Sequence, residues 1–199
     1  MIFSKFGVKV KAFMGGQKAN YLDFFKTVGK SKRLLRSGWI REKVNDPESV
    51  AEHSFRVGVL AMVISDKLDP SLDKNKLIKM ALLHDLAEVI TGDAVIDRWD
   101  IIDIRKRDER ENIEEKGIRK IFDKINQADE FVGIFHEMVS RLTPEAKIFA
   151  QIDKIEMVLQ AFEYEKEQGT NLEEFFVTAS LYIKEPLLKK IFGEILKKR

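Results

Sequence analysis

Two neighbouring side chains of metal-ligand type, His84 and Asp85, interrupt the otherwise apolar run that extends from Leu77 to Glu88. A carboxylate in an apolar setting is costly unless it is paired or binds a cation, so this dipeptide indicates a metal site. His53 occupies a similar setting earlier in the chain, and Asp153 interrupts a later apolar run. Together the four side chains are candidate ligands for one divalent cation.

Two further carboxyl groups follow the dipeptide closely. Glu88 lies four residues after His84 and three after Asp85, which places it on the same side of a helix and one turn further on. Gly92 permits a sharp turn that can bring Asp93 back toward the same place. The purely structural alternatives are a capping or salt-bridge role for Glu88 and a role in the turn for Asp93.

The composition of the chain excludes some kinds of catalytic site and argues against some kinds of partner. The chain has 199 residues, 44% of them hydrophobic and 34% charged, with a net charge of +2 and no cysteine. Thiolate ligands and cysteine nucleophiles are therefore excluded, and the small net charge gives no reason to expect nucleic acid as a partner. Lysines break the apolar N-terminus, and no apolar stretch approaches the roughly 20 residues of a membrane span. We expect a cytoplasmic protein without a membrane partner.

Apolar residues recur at spacings of three and four, which predicts an all-α fold. Ser49 followed by Glu52 forms a capping-box pattern, and Thr143 before Pro144 is a second helix start. The expected helices cover residues 20–35, 49–68, 72–90, 103–125, 130–142, 143–168, 172–183 and 186 to the end. In the first helix Leu22, Phe25, Val28 and Leu34 are expected to face inward.

Four sequence blocks occur in an order that resembles a known family. They are residues 36–41, 48–56, 81–93 and 146–157. In this order they resemble the HD-domain superfamily of metal-dependent phosphohydrolases, and within it the 5′-deoxynucleotidase branch of the HD-domain-containing protein 2 type. The similarity implies a helical bundle and covers roughly residues 20–168. Residues 1–19 would form an N-terminal arm, and residues 169–199 would form C-terminal helices that pack on the same domain.

The resemblance implies a site and a reaction. His53, His84, Asp85 and Asp153 would bind one divalent cation (Co²⁺, Mn²⁺, Mg²⁺, Ni²⁺, Zn²⁺ or Fe²⁺), and the enzyme would remove the 5′-phosphate from deoxyribonucleoside 5′-monophosphates. Glu88 and Asp93 would then handle protons as catalytic groups, although their division of labour stays open. A homodimer is also implied.

The upstream block departs from the family pattern, because Gly38 precedes Trp39 where an arginine is expected. Either Arg36 or Arg41 is then the candidate phosphate ligand. Trp39 would stack on or shape the nucleoside part of the substrate, or else anchor its loop to the core.

Two alternatives remain open from the sequence. One is an HD phosphohydrolase for another nucleotide, such as a cyclic dinucleotide, a triphosphate or an alarmone. The other is a non-catalytic metal-binding helical module.

Overall fold

The structure is a computed structural model that describes residues 18–93 and 104–199, with side chains in the second range from residue 108 onward. The N-terminal arm expected for residues 1–19 therefore lies almost wholly outside the described residues. Ten α-helices are described: α1 (Tyr21–Val28), α2 (Ser37–Arg41), α3 (Val50–Ser65), α4 (Lys74–Leu83), α5 (Glu88–Thr91), α6 (Ile104–Phe122), α7 (Ala128–Ser140), α8 (Pro144–Gln168), α9 (Glu173–Tyr182) and α10 (Pro186–Lys198). The all-α prediction is confirmed.

Local sequence signals set the starts of the two helices that carry most of the candidate site. At α3 the Ser49 side chain accepts the backbone N–H of Glu52, and the Glu52 side chain accepts the backbone N–H of Ser49, which completes the predicted capping box. At α8 the Thr143 side chain accepts the backbone N–H of Ala146, and Pro144 occupies the first turn. Both helix starts were predicted from these residues.

Helix α8 lies at the centre of the bundle, where it packs against α3, α4, α7, α9 and α10, while α3 also packs along α4. Its buried face includes Ile152, Ile155 and Val158, each at most 1% exposed. Helices α9 and α10 both lie against α8. No described helix has the length and apolarity required to cross a membrane.

The first predicted helix is wrong in its length and in part of its orientation. Helix α1 ends at Val28, and a 3-10 segment follows over Gly29–Arg33. Leu22 and Phe25 are 66% and 64% exposed, so they do not face the core as expected. Val28 packs against the core as expected, and Phe24 packs there in place of Phe25. Because Phe24 and Phe25 are adjacent aromatic residues, periodicity over this short helix did not distinguish which of them faces inward.

The helix predicted over residues 72–90 is divided at the candidate metal ligands. Helix α4 ends at Leu83, residues 84–87 form a turn, and α5 begins at Glu88. In this turn the backbone bonds span three residues rather than four, from Leu86 N to Leu83 O at 3.0 Å and from Glu88 N to Asp85 O at 3.1 Å. The tighter winding changes the directions of the His84 and Asp85 side chains relative to a continuous helix.

Helix α6 also approaches this turn closely. A Cβ atom placed on Gly117 would lie 3.1 Å from Cβ and 3.3 Å from the carbonyl oxygen of Ala87. Only glycine allows the α6 backbone this proximity without displacing the turn. Gly117 therefore supports the position of the His84 and Asp85 segment from behind.

Candidate metal centre

Ligand-type atoms of four residues, from three parts of the chain, lie close to one another. His53 Nε2 lies 3.1 Å from His84 Nε2, 3.7 Å from Asp85 Oδ2 and 3.2 Å from Asp153 Oδ1. His84 Nε2 lies 3.1 Å from Asp85 Oδ2 and 3.8 Å from Asp153 Oδ1. Helix α3 supplies the first histidine, the turn after α4 supplies the dipeptide, and α8 supplies Asp153. The four residues named from the sequence are therefore adjacent in space.

These separations fit a shared cation. Two ligands that are each about 2.1 Å from one ion lie about 3.0–3.4 Å apart at octahedral or tetrahedral angles, close to the distances observed here. Each histidine also has a hydrogen-bond acceptor at Nδ1. His84 Nδ1 lies 2.8 Å from the Ala81 carbonyl oxygen, and His53 Nδ1 is hydrogen-bonded to Glu156. With the protons on Nδ1, both Nε2 lone pairs point into the cluster. Facing lone pairs are stabilised by a cation between them, so the donor set fits a divalent metal.

The charges of the cluster favour ionised carboxylates. Burial is the largest influence on Asp85 and raises its pKa, but His84 and Arg36 outweigh burial and hold the pKa below its usual value. Burial also raises the pKa of Asp153, but Lys154 and the two histidines outweigh it and lower that pKa well below its usual value. Lys154 Nζ donates to Asp153 Oδ2 across 2.8 Å, which leaves Oδ1 toward His53. Asp153 therefore has both an ion pair with Lys154 and a place in the cluster.

His53 is fully buried and its pKa is raised. Burial is the largest single influence and lowers the pKa, as does Arg36, but hydrogen bonds to Asp153 and Glu156 outweigh both and raise it to about 9. A metal ion requires the neutral imidazole, so cation binding at neutral pH must release this proton.

Of the two candidate phosphate-binding arginines, Arg36 is the one that contacts the cluster. Its Nη1 donates to Asp85 Oδ2 at 2.5 Å, and its Nε lies 3.8 Å from Glu48 Oε1. A short antiparallel bridge between Leu35 and Ser49 places it there, with the Arg36 backbone N–H donating to the Glu48 carbonyl. Burial lowers the pKa of Arg36, but Asp85 and Asp153 outweigh burial and raise it.

Arg41 and Trp39 have different surroundings. Arg41 Nε donates to Glu42 at 2.7 Å, and its Nη2 lies 3.6 Å from Glu174 on α9. Trp39 is 1% exposed, stacks on Phe175 at 4.4 Å and donates its Nε1 proton to Glu48. A ring this deeply buried presents no exposed face on which a nucleoside could stack. The other prediction, that Trp39 anchors its segment to the core, describes its position.

Asp93 is bound to the segment that carries Arg36. The Ser37 backbone N–H donates to the Asp93 side chain, and the Ser37 hydroxyl donates to the Asp93 carbonyl at 2.9 Å. Gly92 has φ +82°, a left-handed conformation that favours glycine and produces the expected turn. Asp93 therefore connects the end of α5 to the start of α2.

Glu88 is a buried carboxyl group close to other carboxylates. Burial, Asp85 and Asp93 together raise its pKa to about 10. Within the described part of the chain, its Oε2 is buried and has no hydrogen-bond partner. A buried polar atom without a partner is rare in folded proteins.

Two buried glutamates around His53 were not predicted to have a role. Glu156 accepts from His53 Nδ1 and, at 2.8 Å, from Arg56 Nε. Glu48 Oε1 lies 4.0 Å from His53 Nδ1, and burial followed by Glu156 raises the pKa of Glu48 to about 7. Both glutamates occur in the sequence blocks of the resemblance. The spacing of Asp153 and Glu156, one helical turn apart, was the signal available for the second of them.

Comparison with known proteins agrees with this geometry. The sequence matches the HD domain family over residues 28–195. It is 37% identical to 5′-deoxynucleotidase HDDC2 of Danio rerio over 80% of this chain and 78% of that protein. It is 31% identical to 5′-deoxynucleotidase HDDC2 of Homo sapiens over 94% of this chain and 90% of that protein. The crystal structure of PH0347 protein from Pyrococcus horikoshii OT3 superposes with a TM-score of 0.75 and 30% identity, covering 89% of this chain and 99% of that one.

The family match spans most of the chain, and both relatives are matched over most of their own lengths. Members of this family are metal-dependent phosphohydrolases, in agreement with the cluster of histidines and carboxylates. The chain belongs to the HD-domain family.

Proposed function

We propose that this protein is a metal-dependent phosphohydrolase that removes the 5′-phosphate from deoxyribonucleoside 5′-monophosphates. The observation that carries the proposal is the position of Arg36, a phosphate-binding side chain type, at 2.5 Å from Asp85 in the four-ligand cluster. The relatives named 5′-deoxynucleotidase support the choice of substrate.

His53, His84, Asp85 and Asp153 would hold the cation. When bound, a divalent cation polarises a phosphoryl oxygen and makes hydroxide available near neutral pH. The ligand set has two neutral imidazoles and two carboxylates, so it balances the cation's charge and does not repel a phosphate dianion strongly. This donor set accepts several metals, and we propose Mn²⁺, Co²⁺ or Mg²⁺ as the first ions to test.

Arg36 would bind the phosphate and orient it. Its guanidinium is planar and always charged, and it can exchange its bond with Asp85 for a bidentate contact with phosphoryl oxygens. The bonds between Ser37 and Asp93 fix the backbone next to Arg36, so they hold the guanidinium in position. Arg41 instead forms ion pairs with Glu42 and Glu174, so we assign it no role in phosphate binding.

Glu88 would supply a proton to the leaving oxygen. In the hydrolysis the water oxygen bonds to phosphorus and releases one proton, the bond from phosphorus to the 5′-oxygen breaks, and the 5′-oxygen takes up a proton. A carboxyl group with a pKa raised by burial retains its proton near neutral pH and can donate it. Asp93, which accepts a backbone N–H, would hold the segment rather than transfer the proton.

The test is release of inorganic phosphate from a panel of deoxyribonucleoside 5′-monophosphates in the presence of Mn²⁺, Co²⁺ or Mg²⁺. We expect turnover that disappears with a chelator and in H84A, which removes a central ligand. A panel of cyclic dinucleotides and triphosphates tests the first alternative in parallel. Turnover of one of those but not of monophosphates would reject the proposed substrate. Metal binding without any turnover would indicate a non-catalytic module. A cytoplasmic location and a homodimer stay predictions.

A further inference from the structure

A fully buried carboxylate connects the metal centre to the outside of the bundle. Glu156 is 0% exposed and lies one turn after Asp153 on α8. Its Oε2 accepts from His53 Nδ1, and its Oε1 accepts from Arg56 Nε at 2.8 Å. Each carboxylate oxygen therefore accepts a hydrogen bond from a defined side chain. One of these two donors, His53, is a candidate metal ligand.

Arg56 is itself fixed by three acceptors in a row on α8. Besides Glu156, it donates from Nη2 to Gln160 Oε1 at 2.6 Å and from Nη1 to Glu163 Oε2 at 2.7 Å. These acceptors follow one another at spacings of four and three residues, hence along one face of the helix. On α3, Arg56 lies one turn after His53. The guanidinium therefore locks the ligand-bearing turn of α3 onto α8.

We propose that Glu156, held by Arg56, is a positioning residue that orients His53 and sets the affinity of the centre for its divalent cation. The proposal rests on the metal site described above, but it does not depend on which substrate is hydrolysed. A carboxylate that accepts the Nδ1 proton fixes the tautomer that offers Nε2 to a metal, and it makes that nitrogen a stronger donor.

A purely structural ion pair would have a different effect. Burying a carboxylate is costly, and a buried ion pair contributes little net stability unless good geometry and further hydrogen bonds offset that cost. Arg56 has Gln160 and Glu163 as acceptors near the surface, so it does not require Glu156 to be solvated or paired. A structural role predicts a loss of thermal stability without a specific loss of metal affinity.

The decisive variant is E156Q. An amide has the shape of the carboxylate but only one acceptor oxygen, whereas this position receives donors from both His53 and Arg56. One donor must then face the NH₂ group, so either His53 loses its acceptor or Arg56 loses a contact that holds residue 156. In either orientation the negative charge behind His53 is gone, which makes Nε2 a weaker metal ligand. The matched control is E163Q, which alters another Arg56 contact on the same helix but does not touch His53.

The measurement is isothermal titration of Mn²⁺ into chelator-stripped full-length protein, with the melting temperature of each metal-free variant recorded beside it. We expect E156Q to bind Mn²⁺ about 10- to 100-fold more weakly, with part of the activity restored by excess Mn²⁺. E163Q should bind as the unmodified protein does. R56K should show a smaller loss, because one ammonium group does not satisfy three acceptors in a planar fork.

Wild-type affinity in folded E156Q overturns the proposal, and so does an equal loss in E156Q and E163Q. If E156Q does not fold, R56K decides: unchanged Mn²⁺ affinity in that variant rejects the role of the pair. Because the readout is the heat of metal binding, the proposal stands or falls separately from the substrate. If E156Q binds Mn²⁺ weakly and the unmodified protein hydrolyses no nucleotide, the positioning role is supported and the proposed function is rejected.

Discussion

Arg36 donates a hydrogen bond from Nη1 to Oδ2 of Asp85 at 2.5 Å, although 49 residues separate them in the sequence. The same carboxylate oxygen lies 3.1 Å from His84 Nε2. Asp85 Oδ2 therefore belongs to the metal cluster and also pairs with Arg36, the only charged residue among residues 35–38. A phosphate that binds the cation would be placed within reach of the same guanidinium.

Replacing this arginine should weaken phosphate binding more than metal binding. A hydrogen bond to a charged group contributes about 1.5–3 kcal/mol, so R36A should lower kcat/KM by roughly 10- to 150-fold. Mn²⁺ affinity should stay the same or rise, because a positive charge next to Asp85 is removed. Steady-state kinetics and Mn²⁺ titration measure the two effects, with R41A as the matched control. Equal losses of activity in R36A and R41A would contradict the assignment.

Glu88 should be required for turnover but not for the cation. E88Q keeps the shape of the side chain but removes the transferable proton, so kcat should fall by about 10²- to 10⁴-fold. The four proposed ligands are untouched, and the metal content by elemental analysis should match that of the unmodified protein. A variant that retains kcat would exclude Glu88 as the proton donor. Loss of activity together with loss of metal would instead give Glu88 a role in holding a cation.

The starts of α3 and α8 and the candidate ligand residues were predictable from local signals. The capping box at Ser49 and the Thr143 and Pro144 pair mark the starts of α3 and α8 because each depends on side chains within one turn. The ligand residues stood out because ionisable groups interrupted apolar runs. Their convergence was inferred from the resemblance, and the structure brings all four together.

The contacts between distant segments were not predictable in the same way. For Trp39 the sequence left open whether it contacts the substrate or anchors its loop, and the structure places Phe175 and Tyr164, more than 120 residues later, around it in the core. The role of Glu156 depends on its distance from His53, 103 residues away. The turn between α4 and α5 is in contact with α6, where Gly117 lies against Ala87, 30 residues earlier. Such features follow from tertiary packing, which overrides local helix propensity.

The stabilisation of the protein by metal should increase as the pH rises. The pKa of His53 is raised to about 9 from a usual 6.5, so its protonation stabilises the metal-free fold fully below pH 6.5, and this contribution is lost as the pH rises to 9. Glu88 acts in the same direction, because its pKa is raised from 4.5 to about 10 and its ionisation destabilises the metal-free fold. Cation binding instead requires the neutral imidazole and becomes more favourable over the same range.

The melting temperature should therefore be measured with EDTA and with excess Mn²⁺ at several pH values between 6.5 and 8.5. We expect the difference between the two conditions to grow steadily with pH. A difference that is constant or shrinks over this range would show that His53 does not exchange its proton for the cation. H84A serves as the control, since it should show little difference at any pH.

The close approach of α6 to the ligand turn predicts opposite effects for two glycine substitutions. Gly133 lies in the interior of α7, and a Cβ atom placed there would meet no atom of the described residues within 4 Å, so G133A should stabilise the fold by up to about 1 kcal/mol through helix propensity. In G117A the new methyl group would meet the side chain and backbone of Ala87 at 3.1–3.4 Å. The backbone of the turn has little freedom to withdraw, so the clash should outweigh the gain in propensity and destabilise the protein by about 1–3 kcal/mol. Because the turn carries His84 and Asp85, G117A should also bind Mn²⁺ more weakly, whereas G133A should not. Urea denaturation and metal titration of both variants measure these effects, and a stabilised G117A with normal metal affinity would show that the turn does not depend on α6.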